Sequence, residues 1–268
     1  MTLLSGHDIE FSYHQRPVLA NISLTVPEGE LVGIVGPNGS GKSTLLKLLA
    51  HQEPLRHGRI ELKQRPLTDY GTRELARELA FLPQRPLIPA GIRVEQLVQY
   101  GRHPHQGWLS QWSEEDRQQV AAACEAMQLE DLLHRPVSDL SGGQAQRVWL
   151  AMILAQNTDL VLLDEPTSAL DIGHQTEVME AIHRMTASGK TVLIVLHDLA
   201  MAARYCDRLL ALADGSIAAA GPPREVITKP LIDRLYQTDV DILQAPGDGA
   251  PIIVPRRQAF DSPTARKS

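Results

Sequence analysis

Short apolar segments recur along the chain with two different periods, and they predict alternating strands and helices. Residues Ile9–Tyr13 and Ile22–Val26 alternate apolar and polar positions, which is typical of half-buried strands joined by a turn near residues 15–17. The next segments are uniformly apolar or carry leucines at helical spacing, and they predict strands at Leu31–Val35, Arg59–Leu62 and Leu79–Leu82 and a helix at Ser43–Ala50.

The chain from residue 84 to residue 139 has a different character and predicts a helical insertion. Val94–Tyr100 has helical spacing, whereas residues 101–112 carry the glycines and prolines of a loop. Residues 113–116 are a serine followed by three acidic side chains, which favour the first turn of a helix. We expect that helix to continue to Met127.

Strands and helices alternate again after this insertion. The predicted helices are Gly142–Gln156 and Ile172–Ala187, and the predicted buried strands are Leu160–Leu163 and Thr191–Leu196. Because short apolar strands alternate with helices, the sequence predicts a mostly parallel sheet that is covered on both faces. Beyond a turn at residues 214–215 we expect a short strand, a helix near Leu231–Gln237, two strand-like stretches and a disordered polar tail at 256–268.

Composition narrows the classes of protein that this pattern fits. The 268 residues are 43% hydrophobic and 22% charged, with a net charge of −6, which indicates a globular protein with its own core. The balance lacks the excess of Lys and Arg typical of nucleic-acid binders, so we expect no nucleic-acid partner. Cys124 and Cys206 form no Cys-x-x-Cys pair and are predicted to be buried thiols in a reducing compartment.

The sequence has neither a basic, apolar leader at its N-terminus nor an apolar run of about 18 residues, the length that crosses a membrane. We therefore expect a cytosolic protein that could still reach a membrane by docking to another chain.

A phosphate loop is predicted at Gly36–Ser43, whose residues fit the pattern G-x-x-x-x-G-K-[ST]. Glycines let backbone N–H groups turn toward phosphate oxygens, Lys42 supplies a positive charge, and Ser43 offers a hydroxyl to Mg²⁺. The alternative is a glycine-rich turn that only caps a helix. The position of the loop between a predicted strand and a predicted helix favours the phosphate site.

Two adjacent carboxylates, Asp164 and Glu165, follow the buried strand Leu160–Leu163. Buried strands deliver their C-terminal residues to the edge at which α/β sheets bind ligands. We interpret Asp164 as a Mg²⁺ ligand and Glu165 as the group that polarises the water attacking the γ-phosphate. Two solvated acids at a helix start are the alternative interpretation.

Together with the segment Leu140–Gln144, which we call the signature segment, these motifs resemble the ATP-binding-cassette (ABC) family over nearly the whole chain. The resemblance implies an α/β fold: a P-loop NTPase (RecA-like) core with a mostly parallel sheet, an N-terminal antiparallel β subdomain and an inserted α-helical subdomain. It implies one ATPase domain over residues 1–255, with the helical subdomain at about 85–155. It also implies ATP and Mg²⁺ as cofactors.

The same resemblance assigns roles to single residues. Tyr13 lies where an adenine-stacking aromatic is expected, Gln84 matches the glutamine loop, and His197 matches the switch histidine. The residues implied for catalysis are Glu165, His197 and Gln84, and those implied for Mg²⁺ are Ser43, Gln84 and Asp164. Those implied for ATP binding are Tyr13, Gly36, Pro37, Asn38, Gly39, Ser40, Gly41, Lys42, Ser43, Thr44, Ser141, Gly142, Gly143, Gln144 and Asp171.

The signature segment predicts a dimer as well as a nucleotide. Ser141, Gly142 and Gly143 open a predicted helix, so backbone N–H groups and a hydroxyl form a second anion site. In the resembled family, this segment closes on the ATP held by the phosphate loop of the partner subunit. The resemblance therefore implies that two copies enclose two nucleotides, with Asp171 contacting the opposite subunit.

Several loop segments narrow the resemblance to importers of iron–siderophore complexes, haem and vitamin B12. These segments are Leu79–Gln84, Tyr100–His105, Val148–Met152, Leu196–Leu199 and Ile242–Pro255. An iron–siderophore complex is the favoured cargo, and haem or vitamin B12 is the alternative.

This resemblance also implies partners and a location. The expected partners are permease subunits and, indirectly, a substrate-binding protein, with this chain on the cytoplasmic face of the inner membrane. Residues Arg85–Val94 are expected to line the permease groove.

His103 and His105 are interpreted as surface residues because no third metal ligand lies near them in the sequence.

Two other classes remain as rival interpretations. A soluble cassette protein of DNA repair or translation would normally carry two cassettes or a long coiled-coil insertion, which 268 residues do not hold. A P-loop kinase or GTPase would not need the signature segment. The joint order of the motifs favours the transport ATPase.

Overall fold

Strands and helices alternate through most of the chain in the computed structural model, which describes residues 1–87, 91–107, 112–168 and 170–256. The strands are β1 (Thr2–Tyr13), β2 (Arg16–Pro27), β3 (Leu31–Val35), β4 (His57–Leu62), β5 (Arg65–Pro66), β6 (Leu79–Leu82), β7 (Leu160–Asp164), β8 (Thr191–Val195), β9 (Arg208–Ala213), β10 (Ser216–Gly221), β11 (Val240–Gln244) and β12 (Pro251–Pro255). The helices are α1 (Lys42–Leu49), α2 (Thr72–Glu78), α3 (Val94–Tyr100), α4 (Glu114–Ala126), α5 (Gly142–Gln156), α6 (Ile172–Ala187), α7 (Leu199–Tyr205), α8 (Pro223–Val226) and α9 (Lys229–Tyr236).

Three sequence predictions fall partly or wholly outside the described residues. They concern residues 88–90 of the expected permease groove, 108–111 of the expected loop, and the tail from 257 to 268.

The central sheet is mostly parallel, as predicted. Its strand order is β10-β9-β3-β8-β7-β6, and only β10 runs antiparallel to its neighbour. Every residue of β3, β7 and β8 is buried. A strand covered on both faces needs apolar side chains at every position, which explains why these segments read as continuous apolar runs.

The two faces of the central sheet belong to two separate hydrophobic clusters. Val32 and Ile34 of β3 face a cluster built with α1 and the N-terminal antiparallel sheet, whose order is β2-β1-β4-β5. Val35, on the other face, packs in the cluster that holds α3, α5 and α6. The N-terminal sheet therefore covers one face, and α6 together with α3 and α5 covers the other, because successive side chains of a strand point in opposite directions.

The structure departs from the sequence predictions mainly in short elements. The first hairpin turns at residues 14–15, so Arg16 and Pro17 already belong to β2. Helices α2, α7 and α8 were not predicted, because these short segments of seven, seven and four residues carry no clear apolar period of their own. In α2 only Leu75 is buried. Among the described residues, no helix has the length and apolar character needed to cross a membrane.

A buried ion pair holds the helical insertion together. The Arg102 guanidinium, 2% exposed, donates from Nε to Oδ1 of Asp116 at 2.7 Å and from Nη1 to the Ala155 carbonyl at 3.0 Å. Asp116 also accepts hydrogen bonds from Ser113, the N-cap of α4. The pair thus joins the loop after α3, the start of α4 and the end of α5. Cys124 of α4 is buried and unpaired, as is Cys206.

Replacement of Asp116 by Asn should destabilise the protein by about 3–5 kcal/mol at pH 7, because it leaves the buried guanidinium without its counter-charge. Burial alone would raise the pKa of Asp116, but hydrogen bonds from Arg102 and Ser113 outweigh it and hold the pKa below its usual value. The stabilisation is therefore present above the usual pKa and is lost as the pH falls through the lowered one. Urea unfolding at several pH values measures this contribution to the free energy of unfolding.

The matched control is Glu115→Gln, since Glu115 is largely exposed and lies 3.9 Å from the same guanidinium. We expect it to change the free energy of unfolding by at most about 1 kcal/mol. If both substitutions changed the free energy of unfolding equally, Asp116 would not be the counter-charge that stabilises the buried Arg102.

Candidate nucleotide site

Four polar segments meet at one edge of the central sheet. The phosphate loop follows β3, His197 follows β8, Asp164 and Glu165 end β7, and Gln84 follows β6. These strands are neighbours in the order β3-β8-β7-β6 and run parallel, so their carboxyl ends lie side by side. Such an edge is where open α/β sheets bind ligands.

The phosphate loop requires glycine at both ends. Gly36 has φ +145°, and a Cβ there would lie 2.2 Å from the Leu212 carbonyl oxygen of β9. Gly41, the N-cap of α1, has φ +100°, and its Cβ would lie 2.6 Å from Cδ2 of Leu19. Any other residue would be strained by conformation and by contact. Pro37 is half-buried, and Asn38 and Gly39 form the exposed tip between these fixed ends.

Lys42 and Ser40 turn polar atoms into the loop. Lys42 is 4% exposed, and its Nζ donates to the carbonyl oxygens of Gly36 and Pro37, each at 2.9 Å. Burial lowers the pKa of Lys42, while Glu165 and Asp164 oppose that shift. The Ser40 hydroxyl is buried and finds no hydrogen-bond partner among the described residues. A buried hydroxyl without a partner costs free energy, and a bound phosphate oxygen would supply the missing acceptor.

Ser43 and Asp164 form an oxygen-rich pair beside the loop. The Ser43 hydroxyl donates to Oδ1 of Asp164 at 2.8 Å, and Asp164 is 3% exposed. Burial raises the pKa of Asp164, and neighbouring Glu165 adds to the rise, whereas Ser43 and two lysines lower it. Hard divalent cations such as Mg²⁺ prefer oxygen ligands of this kind. The residues present therefore fit Mg²⁺.

The three residues predicted for catalysis meet at one carboxylate. Oε2 of Glu165 accepts a hydrogen bond from Nε2 of Gln84, and Oε1 contacts Nε2 of His197. Glu165 is 8% exposed and has φ +51°, a left-handed conformation that is costly for a residue with a side chain. Strained backbone conformations persist where the surrounding structure holds them, and the Glu165 carboxylate is held between its two partners.

Tyr13 lies beside the phosphate loop at the end of β1. Its ring packs edge-on against Phe11, with centroids 4.8 Å apart, and it remains 39% exposed. The hydroxyl donates to Oε1 of Glu53 at 3.3 Å and meets the side chain of Thr44. Burial, followed by the Glu53 carboxylate, raises the pKa of Tyr13. An exposed ring beside a phosphate loop can stack on a base.

The signature segment forms a separate group with Asp171. Ser141 caps α5, its hydroxyl accepting from the Gln144 amide at 3.3 Å, and Gln144 Oε1 accepts from the Ser141 amide at 3.1 Å. Gly142 and Gly143 follow the cap as the first residues of the helix, Gly142 exposed and Gly143 buried. Asp171 caps α6 in the same way by accepting from the amide of His174.

Within the described residues, the hydrogen bonds that the signature segment makes are local, and none of them reaches the phosphate loop.

Three contacts in or beside the site were not anticipated from sequence. Glu53 reaches Tyr13, His174 pairs with Asp171, and the half-buried Tyr236 hydroxyl accepts from the Gly36 backbone amide. His174 had a usable signal, since a residue three positions after a helix cap faces that cap. His105 corrects an expectation: it is half-buried and hydrogen-bonds to the Gln156 carbonyl at 2.8 Å, so it is not a free surface residue.

The chain that carries this phosphate loop, these paired carboxylates and this signature segment is similar to known proteins. The sequence model of the family described as "ABC transporter" matches residues 19–168. The chain belongs to the ABC transporter family. It is therefore an ATP-binding subunit whose hydrolysis of ATP is coupled to transport.

Curated relatives of this ABC transporter subunit cover nearly all of it. It is 43% identical to the "Probable siderophore transport system ATP-binding protein" of Bacillus subtilis (strain 168), over 95% of this chain and 93% of the relative. It is also 43% identical to the hemin import ATP-binding protein of Streptomyces coelicolor, over 90% and 86%. A solved metal-chelate type ABC transporter in an inward-facing conformation matches with a TM-score of 0.83 and 27% identity, over 96% of this chain and 98% of that one.

Ser40→Ala should weaken ATP binding while leaving the nucleotide-free protein as stable as before, or more so. The substitution removes a buried hydroxyl that has no partner within the protein, so folding loses nothing. A hydrogen bond to a charged phosphate contributes roughly 1.5–3 kcal/mol, so we expect ATP affinity to fall about 10-fold or more. Calorimetric titration and thermal unfolding measure the two effects.

Ser216→Ala, at the exposed start of β10, is the control: it should leave ATP affinity unchanged and lower stability by at most about 1 kcal/mol, because its hydroxyl only donates to the Ala20 carbonyl at 3.3 Å. Unchanged ATP affinity in Ser40→Ala would show that the hydroxyl does not face phosphate.

Proposed function

We propose that this chain hydrolyses ATP between two copies of itself and thereby drives import of a ferric siderophore through a membrane permease. The observation that carries the proposal is the meeting of Gln84 and His197 at the buried carboxylate of Glu165, beside the phosphate loop. A kinase would transfer phosphate to a bound acceptor and needs no signature segment. The group at Glu165 is instead suited to activating water.

Each polar group of the site takes one step of the reaction. Backbone amides of the phosphate loop and the Lys42 ammonium hold the β- and γ-phosphates, which draws Lys42 away from the carbonyls of Gly36 and Pro37. Ser43 and Asp164 would hold Mg²⁺, which neutralises charge developing on the phosphates. Glu165 then polarises the attacking water, and Gln84 and His197 keep its carboxylate in place.

The signature segment supplies what one chain lacks. Two backbone amides of this segment serve the cap between Ser141 and Gln144, and Ser141, Gly142, Gly143 and Gln144 would together present the remaining N–H groups and the Ser141 hydroxyl to the γ-phosphate held by a second copy. Asp171 contacts that copy, and Tyr13 stacks on the adenine. ATP therefore stabilises the closed pair, and hydrolysis removes that stabilisation, which shifts the population toward open copies.

The helical insertion is the proposed link to the permease. We place one ATPase domain at residues 1–255, with a helical subdomain at about 85–155, on the cytoplasmic face of the inner membrane. Residues Arg85–Val94 line the permease groove in this proposal, and among the described ones Leu87 is 92% exposed. Burial of this side chain against a permease helix would be favourable, because it removes apolar surface from water. The substrate-binding protein would act on the permease and not on this chain.

An iron–siderophore complex is the proposed cargo. The siderophore-transport relative supports it, since the match extends over more of both chains than the match to the hemin-import relative. Identity is 43% in both cases, so haem remains the second candidate on the strength of that relative, together with vitamin B12. The cargo crosses the membrane in other chains, so the residues of this site carry no information about it.

Glu165→Gln should reduce ATP turnover by at least about 100-fold, because the amide cannot act as a base. The phosphate loop is untouched, so ATP binding should persist and an ATP-bound dimer should accumulate in size-exclusion chromatography. Glu177→Gln, an exposed glutamate on α6, is the control and should hydrolyse ATP normally. A normal rate in Glu165→Gln would remove this residue from the mechanism.

Loss of this chain from its host should abolish uptake of iron presented as a ferric siderophore and leave uptake of haemin and cobalamin intact. Wild-type chain and Glu177→Gln should restore siderophore uptake, and Glu165→Gln should not, since transport needs hydrolysis. Siderophore uptake is measured by counting radiolabelled iron in washed cells. Intact siderophore uptake with lost haemin uptake would transfer the assignment to haem.

A further inference from the structure

We infer that His174 is a positioning residue that clamps the signature segment to the Asp171 loop, and so sets the half-site that this chain offers to a second copy's ATP. The inference rests on the proposed function, because it assumes that the signature segment acts across a dimer. It assigns a role to a side chain outside the phosphate loop, the catalytic carboxylates and the signature segment itself.

The imidazole of His174 lies directly against the second glycine of the signature segment. A Cβ added to Gly143 would stand 2.3 Å from Cδ2 and 2.7 Å from Cγ of His174, distances that real Cβ atoms do not reach. Gly143 lies within α5 and does not have a positive φ, so its backbone does not require glycine. Glycine inside a helix costs roughly 0.5–1 kcal/mol relative to alanine, and here it permits the ring to touch the helix backbone.

The same ring also holds Asp171. Nδ1 of His174 lies 2.8 Å from Oδ2 of Asp171, and the His174 amide donates to Oδ1 at 2.9 Å. An ionised carboxylate only accepts hydrogen bonds, so Nδ1 carries a proton and donates it. Hydrogen bonds from the His174 amide and ring hold the pKa of Asp171 below its usual value. The carboxylate therefore stays charged and is fixed by two donors from one residue.

One side chain thus joins the first turns of two helices. The cap between Ser141 and Gln144 orders the start of α5 internally and does not tie it to another element. His174, at the start of α6, makes that tie through Gly143 on one side and Asp171 on the other. Amides that must point at a partner's γ-phosphate lose their aim when the helix start shifts by a fraction of an ångström. Fixing this helix start is the role that we assign to His174.

The contact between Gly143 and His174 can be tested by a double-mutant cycle on the full chain. Gly143→Ala should lower ATP turnover because its new methyl group displaces the ring, and His174→Ala should lower it because the clamp is lost. In the double variant the methyl group finds space where the ring was. Since residues in contact couple by roughly 2- to 150-fold, we expect turnover at least about 3-fold above the product of the single effects. If the turnover of the double variant equalled the product of the two single effects, Gly143 and His174 would not be coupled and the proposed clamp would be wrong.

Two conservative variants separate the halves of the clamp. His174→Asn keeps a donor near the position of Nδ1 and loses the ring, whereas His174→Phe keeps the ring and loses the donor. Each should retain part of the turnover that His174→Ala loses. His183→Ala, an exposed histidine on the same helix, is the control and should turn over ATP like the wild type. Equal losses in Ala, Asn and Phe would contradict both contacts.

A final readout distinguishes positioning from a general loss of structure. In the Glu165→Gln background, His174→Ala should bind ATP as a monomer within about 2-fold of its parent, but should need about 10-fold more ATP to dimerise. Equal weakening of both quantities, or no change in either, would overturn the inference. Failure of Glu165→Gln itself to form a dimer would instead contradict the proposed function, so the two failures are distinguishable.

Discussion

The register of four parallel strands is the constraint on which the site depends. Ile34 of β3 and Asp164 of β7 both pair with Val195 of β8, and Leu163 pairs with Leu82 of β6. The strands therefore end at one level, and the polar residue that follows each strand reaches the same place. A slip of one residue would exchange the side chains that pack in the two hydrophobic clusters, so close packing on both faces fixes the register and, with it, the site.

Burial then gives this site its electrostatic character. Lys42, Asp164 and Glu165 are held in a region from which water is largely excluded. Burial shifts the pKa of Lys42 downward and that of Asp164 upward, so each charged form is disfavoured until a neighbour of opposite sign compensates. Triphosphate with a divalent cation supplies both signs at once. Burying these charged groups lowers the stability of the protein alone, and it favours binding of a ligand whose charges compensate them.

Much of this could be predicted from the sequence, for a physical reason that also sets the limit. A buried strand such as β3 needs apolar residues throughout, and a loop such as Gly36–Ser43 needs glycines at positive φ. The local sequence is therefore sufficient to predict both. Strand order has no local cause, and neither does the meeting of Gln84, Glu165 and His197, which requires three strands in register. The short helices α2 and α7 were missed because tertiary contacts, and not their own period, stabilise them.

The two glycines of the signature segment differ in whether packing within the chain requires glycine. Gly143 is buried, and a Cβ there would collide with His174, so packing within the chain already demands glycine. Gly142 is exposed, and a Cβ there would make only ordinary contact with Leu170, at 3.5 Å. Nothing within the described chain requires glycine at 142, although glycine weakens a helix start relative to other residues. In the proposed dimer, the phosphate held by a second copy approaches this surface and would contact the bare backbone that glycine provides.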